Sequence, residues 1–236
     1  MLQIRWVRLI VVAILTPYTF CVLSNLISYR QVQYNATTPL PDIATPAQDV
    51  WPNLDLVTAL DVIAGANAAF TLLVWLCCSR KPRPIMRFIA MQAVLLPFMG
   101  FSQWSTVIPD ALPGCIDRLG VPRGDDISWV WWKMFPRPCG DVYWASDIAQ
   151  IVLWGSLGVK SMSSEFMVFF YTVVVITAVG LALAARYQYT SGVLITLLVT
   201  IGASTHPFFD WLGNTLFAKE VCERCTSEEV ISLHPL

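Results

Sequence analysis

FMVFFYTVVVITAVGLALAA, residues 166–185, is a run of twenty residues without a charged side chain. An α-helix of this length rises about 30 Å, which matches the hydrocarbon core of a bilayer. The run therefore predicts a transmembrane helix.

The composition extends this prediction to the whole chain. Of the 236 residues, 56% are hydrophobic and only 13% are charged, and the mean hydropathy is +0.60. A soluble domain of this size is far less apolar. The net charge of −1 gives no indication of nucleic-acid binding. We predict one all-α transmembrane domain spanning residues 1–236.

Further apolar stretches of about 20 residues predict six transmembrane helices in total. They lie near residues 6–27, 56–78, 85–108, 142–159, 166–185 and 189–217, and a polar tail follows at 218–236. The fourth stretch is the weakest, because Asp147 and Gln150 interrupt it. A carboxylate within a membrane must face protein, a partner or water.

The distribution of charge predicts the orientation of these helices. Positive side chains precede the first helix and crowd the loop between the second and third: Arg5, Arg8, Arg80, Lys81, Arg83 and Arg87. The positive-inside rule assigns both regions to the cytoplasmic or matrix side. The segments around Asp141 and Arg186 then lie together on the opposite side.

Those two segments read Cys139-Gly140-Asp141-Val142-Tyr143-Trp144-Ala145-Ser146-Asp147 and Arg186-Tyr187-Gln188-Tyr189-Thr190-Ser191-Gly192. They resemble the active-site motifs of the sphingomyelin synthase (sphingolipid synthase) family, which is related to lipid phosphate phosphatases. Pro39-Leu40-Pro41-Asp42 and the segment from Thr106 to Pro109 also resemble that family. The resemblance implies a six-helix membrane fold.

The resemblance also implies that the reactive groups are replaced. The catalytic histidine of the first motif corresponds to Asp147, the nucleophilic histidine of the second to Gln188, and its carboxylate to Gly192. Imidazole suits nucleophilic attack and proton transfer near neutral pH, whereas an amide does neither. We therefore predict no catalytic residue at these degenerate positions.

Other residues near the two motifs have alternative interpretations. Arg186 either forms a structural salt bridge with Asp147 or Asp141, or binds a lipid headgroup phosphate. Cys115 and Cys139 either form a disulfide or remain reduced thiols. We predict no metal site, because a single Cys-x-x-Cys at 222–225 supplies too few ligands for zinc.

Two histidines occur in the chain, His206 and His234. His206 lies 18 residues, or about five helical turns, after Gln188, so we expect it deep in the membrane or near the opposite face. The sequence His206-Pro207-Phe208-Phe209-Asp210 indicates a kinked helix with a capped polar pair. A catalytic role for His206 is therefore disfavoured.

Together these observations predict a catalytically inactive relative of the sphingomyelin synthases. We expect it to serve as a structural accessory subunit of a larger membrane complex, with other membrane subunits and lipids as partners. A respiratory or ATP synthase assembly of the mitochondrial inner membrane is the expected setting. No cofactor is predicted, although a bound phospholipid is compatible with the chain. The alternative is an active Golgi or ER synthase that moves a phospholipid headgroup to ceramide.

Overall fold

The computed structural model describes residues 3–34, 54–79, 82–105, 128, 131, 144–185 and 190–219. Within these ranges the chain forms α1 Trp6–Tyr34, α2 Leu54–Val74, α3 Pro82–Ser105, α4 Ser146–Met162, α5 Glu165–Ala185, α6 Thr190–Thr205 and α7 Phe208–Phe217. A π-helical turn, Trp75–Ser79, extends α2. Strands β1 Gln3–Ile4 and β2 Ala218–Lys219 pair antiparallel, a small departure from the all-α prediction.

Four of these helices are long and apolar enough to cross a membrane: α1, α2, α3 and α5. The α6–α7 pair raises this number to five if the two helices together form one bent span. Helix α4 has only 17 residues and is not among them. The six predicted spans are thus reduced to four or five by length and composition.

Helix α3 lies at the centre of the packed helices. Its most apolar window is 61% buried, against 28% for α1 and 22% for both α2 and α5. Met86, Ala90 and Met99 are fully buried and belong to a core cluster that also includes residues of α1, α4 and α7. The other three long helices therefore present extensive apolar surface outwards.

Small residues let α4 approach its neighbours closely. Gly155 and Gly158 lie one turn apart beneath the ring of Tyr171 on α5. The phenol of Tyr171 shares a hydrogen bond with the Thr71 hydroxyl on α2. The side-chain amide of Asn67, also on α2, donates to the Ile151 carbonyl at 3.2 Å. These contacts tie three helices together through polar groups inside an apolar region.

The predicted kink near Pro207 is confirmed, and it divides the sixth predicted helix in two. Helices α6 and α7 meet at an angle of 63°. Proline has no backbone N–H, so it cannot continue the helical hydrogen bonds. Helix α7 packs on the start of α3. The contact is close at Gly213, because a Cβ added there would lie 3.0 Å from the Met86 carbonyl carbon.

The start of α1 and the end of α7 lie together. The Arg5 N–H donates to the Phe217 carbonyl at 2.7 Å, and β1 pairs with β2 directly beside this bond. Because α7 packs on the first turns of α3, helices α1 and α3 begin at the same end. We call this the basic end, since it holds Arg5, Arg8, Arg83, Arg87 and Lys160.

Candidate functional site

Asp147, which the resemblance aligns with a catalytic histidine, lies in the first turn of α4 and is half-buried. A carboxylate is favoured there because the N-terminus of a helix carries partial positive charge. Gly192, the third residue of α6, is buried. It contributes no side chain that could orient a nucleophile.

A hydrogen bond links these two helix starts. The Ala145 N–H donates to the Thr196 hydroxyl at 2.8 Å, and both residues are buried. Ala145 precedes Asp147 by two residues, and Thr196 lies one turn after Gly192. The structure therefore places the starts of α4 and α6 side by side, at the end away from the basic end.

The remaining predicted site residues lie outside the described part of the chain. They are Asp141, Arg186, Gln188, Cys115 and Cys139. The proposed salt bridges of Arg186 and the disulfide thus stay predictions. His234 and the tail beyond Lys219 also lie outside the described residues.

His206 is at the opposite end of α6 from Gly192. Fourteen residues separate them, a rise of about 21 Å along a helix. Its Nδ1 accepts a hydrogen bond from the Phe208 N–H at 3.1 Å. The imidazole of His206 thus caps the helix break, at the opposite end of the helices from Asp147.

Arg87 is the polar site that sequence reasoning missed. The charge pattern predicts Arg87 in the loop before the third helix, but it lies inside α3 and is only 2% exposed. Its guanidinium forms an ion pair with Asp210 of α7. In the segment where a capped polar pair was predicted, Asp210 is thus ion-paired with Arg87 of another helix.

The contacts of Arg87 follow from the helix break. Pro207 has no N–H for the Ala203 carbonyl, which accepts from the His206 N–H at 3.3 Å. The Phe208 N–H donates to the His206 Nδ1 and not to the Ser204 carbonyl. The Arg87 Nη2 donates to the carbonyls of Ser204 at 2.7 Å and His206 at 3.0 Å. Arginine suits this role because its fixed fork carries five donors. Arg87 thus satisfies carbonyls that the broken helix leaves without backbone partners.

A sequence signal for this site did exist. Arg87 stands within an apolar run, between Met86 and Phe88, and Asp210 stands within another. Ionisable residues in such runs are rare and usually pair with each other. What the sequence does not provide is their proximity, because 123 positions separate them.

A second polar pair joins α3 to α4. The side-chain amides of Gln92 and Gln150 exchange two hydrogen bonds, at 3.0 and 3.2 Å. Gln92 is buried and Gln150 is half-buried. Each amide satisfies both a donor and an acceptor of its partner, so Gln150 is accommodated in an apolar region.

Replacing Gln92 alone by leucine is expected to lower the free energy of unfolding by about 1 kcal/mol, because the Gln150 amide loses its partner. Replacing both residues by leucine is expected to cost less than the sum of the single changes. Thermal unfolding of the detergent-solubilised protein measures this coupling. Strictly additive effects would show that the two amides act independently.

Within the described residues, no group of three or more His, Cys, Asp or Glu side chains is arranged to hold a metal ion. Cys21, Cys77 and Cys78 are free thiols. No protein-family model matches the chain, and searches of the curated proteins and of the solved structures also gave no match.

Proposed function

We propose that the chain is an integral membrane protein that serves as a non-catalytic structural subunit. The helix directions support six crossings: α1, α3 and α5 start at the basic end, whereas α2, α4 and α6 finish there. Helix α4 spans about 25 Å and packs on α2, α3 and α5, which are all longer, so we expect it to cross with them. The basic end then faces the cytoplasm or the mitochondrial matrix.

The absence of headgroup chemistry is supported by one observation. The resemblance aligns Asp147 and Gly192 with reactive residues of the family. Asp147 carries a carboxylate in place of an imidazole, and Gly192 is buried and has no side chain. The described imidazole, His206, caps a helix break about 21 Å away along α6. A phosphotransfer centre needs a nucleophile and a proton-transfer group within reach of one phosphorus.

Reconstituted enzyme assays test this proposal. The purified protein in vesicles is given labelled phosphatidylcholine or phosphatidylinositol together with ceramide. We expect no labelled sphingolipid from the wild type or from Asp147→Asn. Turnover by the wild type that disappears in Asp147→Asn would establish the alternative, an active headgroup transferase that uses the carboxylate.

The subunit role is supported by the outer surfaces of the helices. Large apolar side chains are exposed on α5, among them Phe166, Phe169 and Ile176. Helices α1 and α2 present similar surfaces, so both lipid and partner helices can cover them. A mitochondrial inner-membrane assembly is our proposed setting.

Purification in mild detergent tests the subunit role. Stoichiometric association with respiratory or ATP synthase proteins is the expected result. A monodisperse monomer or homodimer recovered from Golgi membranes would contradict it and would favour the transferase alternative.

A further inference from the structure

A large cleft lies between α4, α5 and α6, apart from the Asp147 region. Its volume is about 730 Å³, within the range of small-molecule sites. Helices α5 and α6 scarcely touch each other although both pack on α4. The cleft is therefore a lateral gap between two helices, with α4 as its floor.

The walls of the cleft are mainly aliphatic. Val152 and Val159 of α4, Val175 and Ile176 of α5, and Leu197 and Ile201 of α6 all line it. Gly155 contributes a floor position without a side chain. An elongated gap with such walls accommodates a hydrocarbon chain better than a polar solute.

The polar groups of the cleft include a cluster at the basic end. Lys160, Ser204 and Thr205 line it there. The hydroxyls of Ser204 and Thr205 donate to carbonyls of their own helix. Lys160 is exposed, and no carboxylate of the described residues lies within ion-pairing distance of its ammonium group. Its three N–H donors make it the cation available to a ligand.

The surrounding charge favours an anion at this position. Lys160 is near enough to Arg87 for the two positive charges to interact. Arg87 is already paired with Asp210. The Glu165 carboxylate, in the first turn of α5, also lies at this end, but it is not within ion-pairing distance of Lys160. An apolar helix of a partner protein would fill the cleft but would leave the Lys160 charge without a counter-ion.

We infer that the cleft binds an anionic phospholipid, with an acyl chain between α5 and α6 and the phosphate at the Lys160 ammonium. Basic groups between membrane helices on the positive side are suited to such headgroups. The inference rests on the proposed membrane insertion and not on the lack of catalysis. The site lies at the opposite end of α4 from Asp147, so it is separate from the degenerate motif positions.

Lipid titration of the full-length, delipidated protein in detergent tests the inference. Native mass spectrometry counts bound phosphatidylglycerol and phosphatidylcholine that carry identical acyl chains. We expect the wild type to prefer phosphatidylglycerol by about fivefold to tenfold, the effect of one hydrogen-bonded charge. Lys160→Gln is expected to abolish this preference, and Lys160→Arg to keep it.

Two further variants locate the site. Arg83→Gln removes a different exposed cation at the basic end and is expected to leave the preference unchanged. Thr172→Trp, at an exposed position that lines the cleft, is expected to reduce the binding of both lipids at least fivefold by filling the gap. It also supplies a test if Lys160→Gln does not fold.

Several results would overturn the inference. They are equal binding of the two lipids by the wild type, an Arg83→Gln effect as large as that of Lys160→Gln, or unchanged binding in Thr172→Trp. Alkaline carbonate extraction of cell membranes tests insertion separately. Release of the protein by carbonate would refute the proposed membrane location, whereas lost lipid selectivity in a retained protein refutes the cleft site alone.

Discussion

Replacing Arg87 by methionine is expected to lower the free energy of unfolding by about 2–4 kcal/mol, because a buried guanidinium with one ion pair and two hydrogen bonds to carbonyls is removed. Two losses combine in this variant. The Asp210 carboxylate loses its counter-ion, and the carbonyls of Ser204 and His206 lose their donor. Reversible unfolding of the purified protein in detergent measures the change.

Companion variants separate the charge from the hydrogen bonds. Arg87→Lys keeps the charge, but its single ammonium nitrogen cannot replace the two guanidinium nitrogens that reach Asp210 and the carbonyls separately, so we expect a stability between those of the wild type and Arg87→Met. Asp210→Asn leaves the buried Arg87 without a counter-ion, but Arg87 keeps its bonds to the carbonyls of Ser204 and His206 and can donate to the new amide oxygen. We therefore expect this variant to cost less than Arg87→Met. An Arg87→Met protein within about 0.5 kcal/mol of the wild type would show that the α6–α7 break is held by other contacts.

Replacing Gly158 by alanine is expected to destabilise the protein by about 1–3 kcal/mol through overpacking. The new Cβ would need the position of the Tyr171 ring, whose Cε2 lies 2.5 Å away and Cζ 2.6 Å away. The ring cannot move freely, because its hydroxyl is bonded to Thr71 on α2. We therefore expect α4 and α5 to separate slightly and the melting temperature to fall.

Gly180 provides a matched control on α5. Nothing lies within 4 Å of the Cβ that would be added there. Gly180→Ala is expected to be neutral or to stabilise the helix by up to about 1 kcal/mol, because alanine has the higher helix propensity. Equal effects at Gly158 and Gly180 would show that Tyr171 moves aside without cost.

Much of the helical layout can be predicted from hydropathy alone. The apolar run 166–185 and α5, Glu165–Ala185, differ by one residue, since an uncharged run of that length has no local alternative to a helix. The hydropathy pattern predicts the start of α3 at residue 85, three residues too late, because Pro82 and Arg83 are not apolar. Proline is nevertheless compatible with the first turn of a helix, so α3 begins at Pro82.

For the motif positions, the sequence predicts the side of the membrane but not the contacts between the helices. The resemblance predicts that Asp147 and Gly192 replace reactive residues, and the distribution of charge predicts that both lie on one side of the membrane. The structure adds that the starts of α4 and α6 are joined by the Ala145–Thr196 hydrogen bond. That contact depends on helix packing, which local sequence does not encode.

The sequence by itself determined where most of the apolar helices form and where Pro207 breaks one of them. These are local properties of composition and backbone chemistry. Only the tertiary structure decided that Arg87 satisfies the broken helix and that Lys160 stands at the end of an aliphatic cleft. Both depend on residues that are distant in the chain and that meet only when the helices pack, because a hydrogen bond or an ion pair requires contact in space.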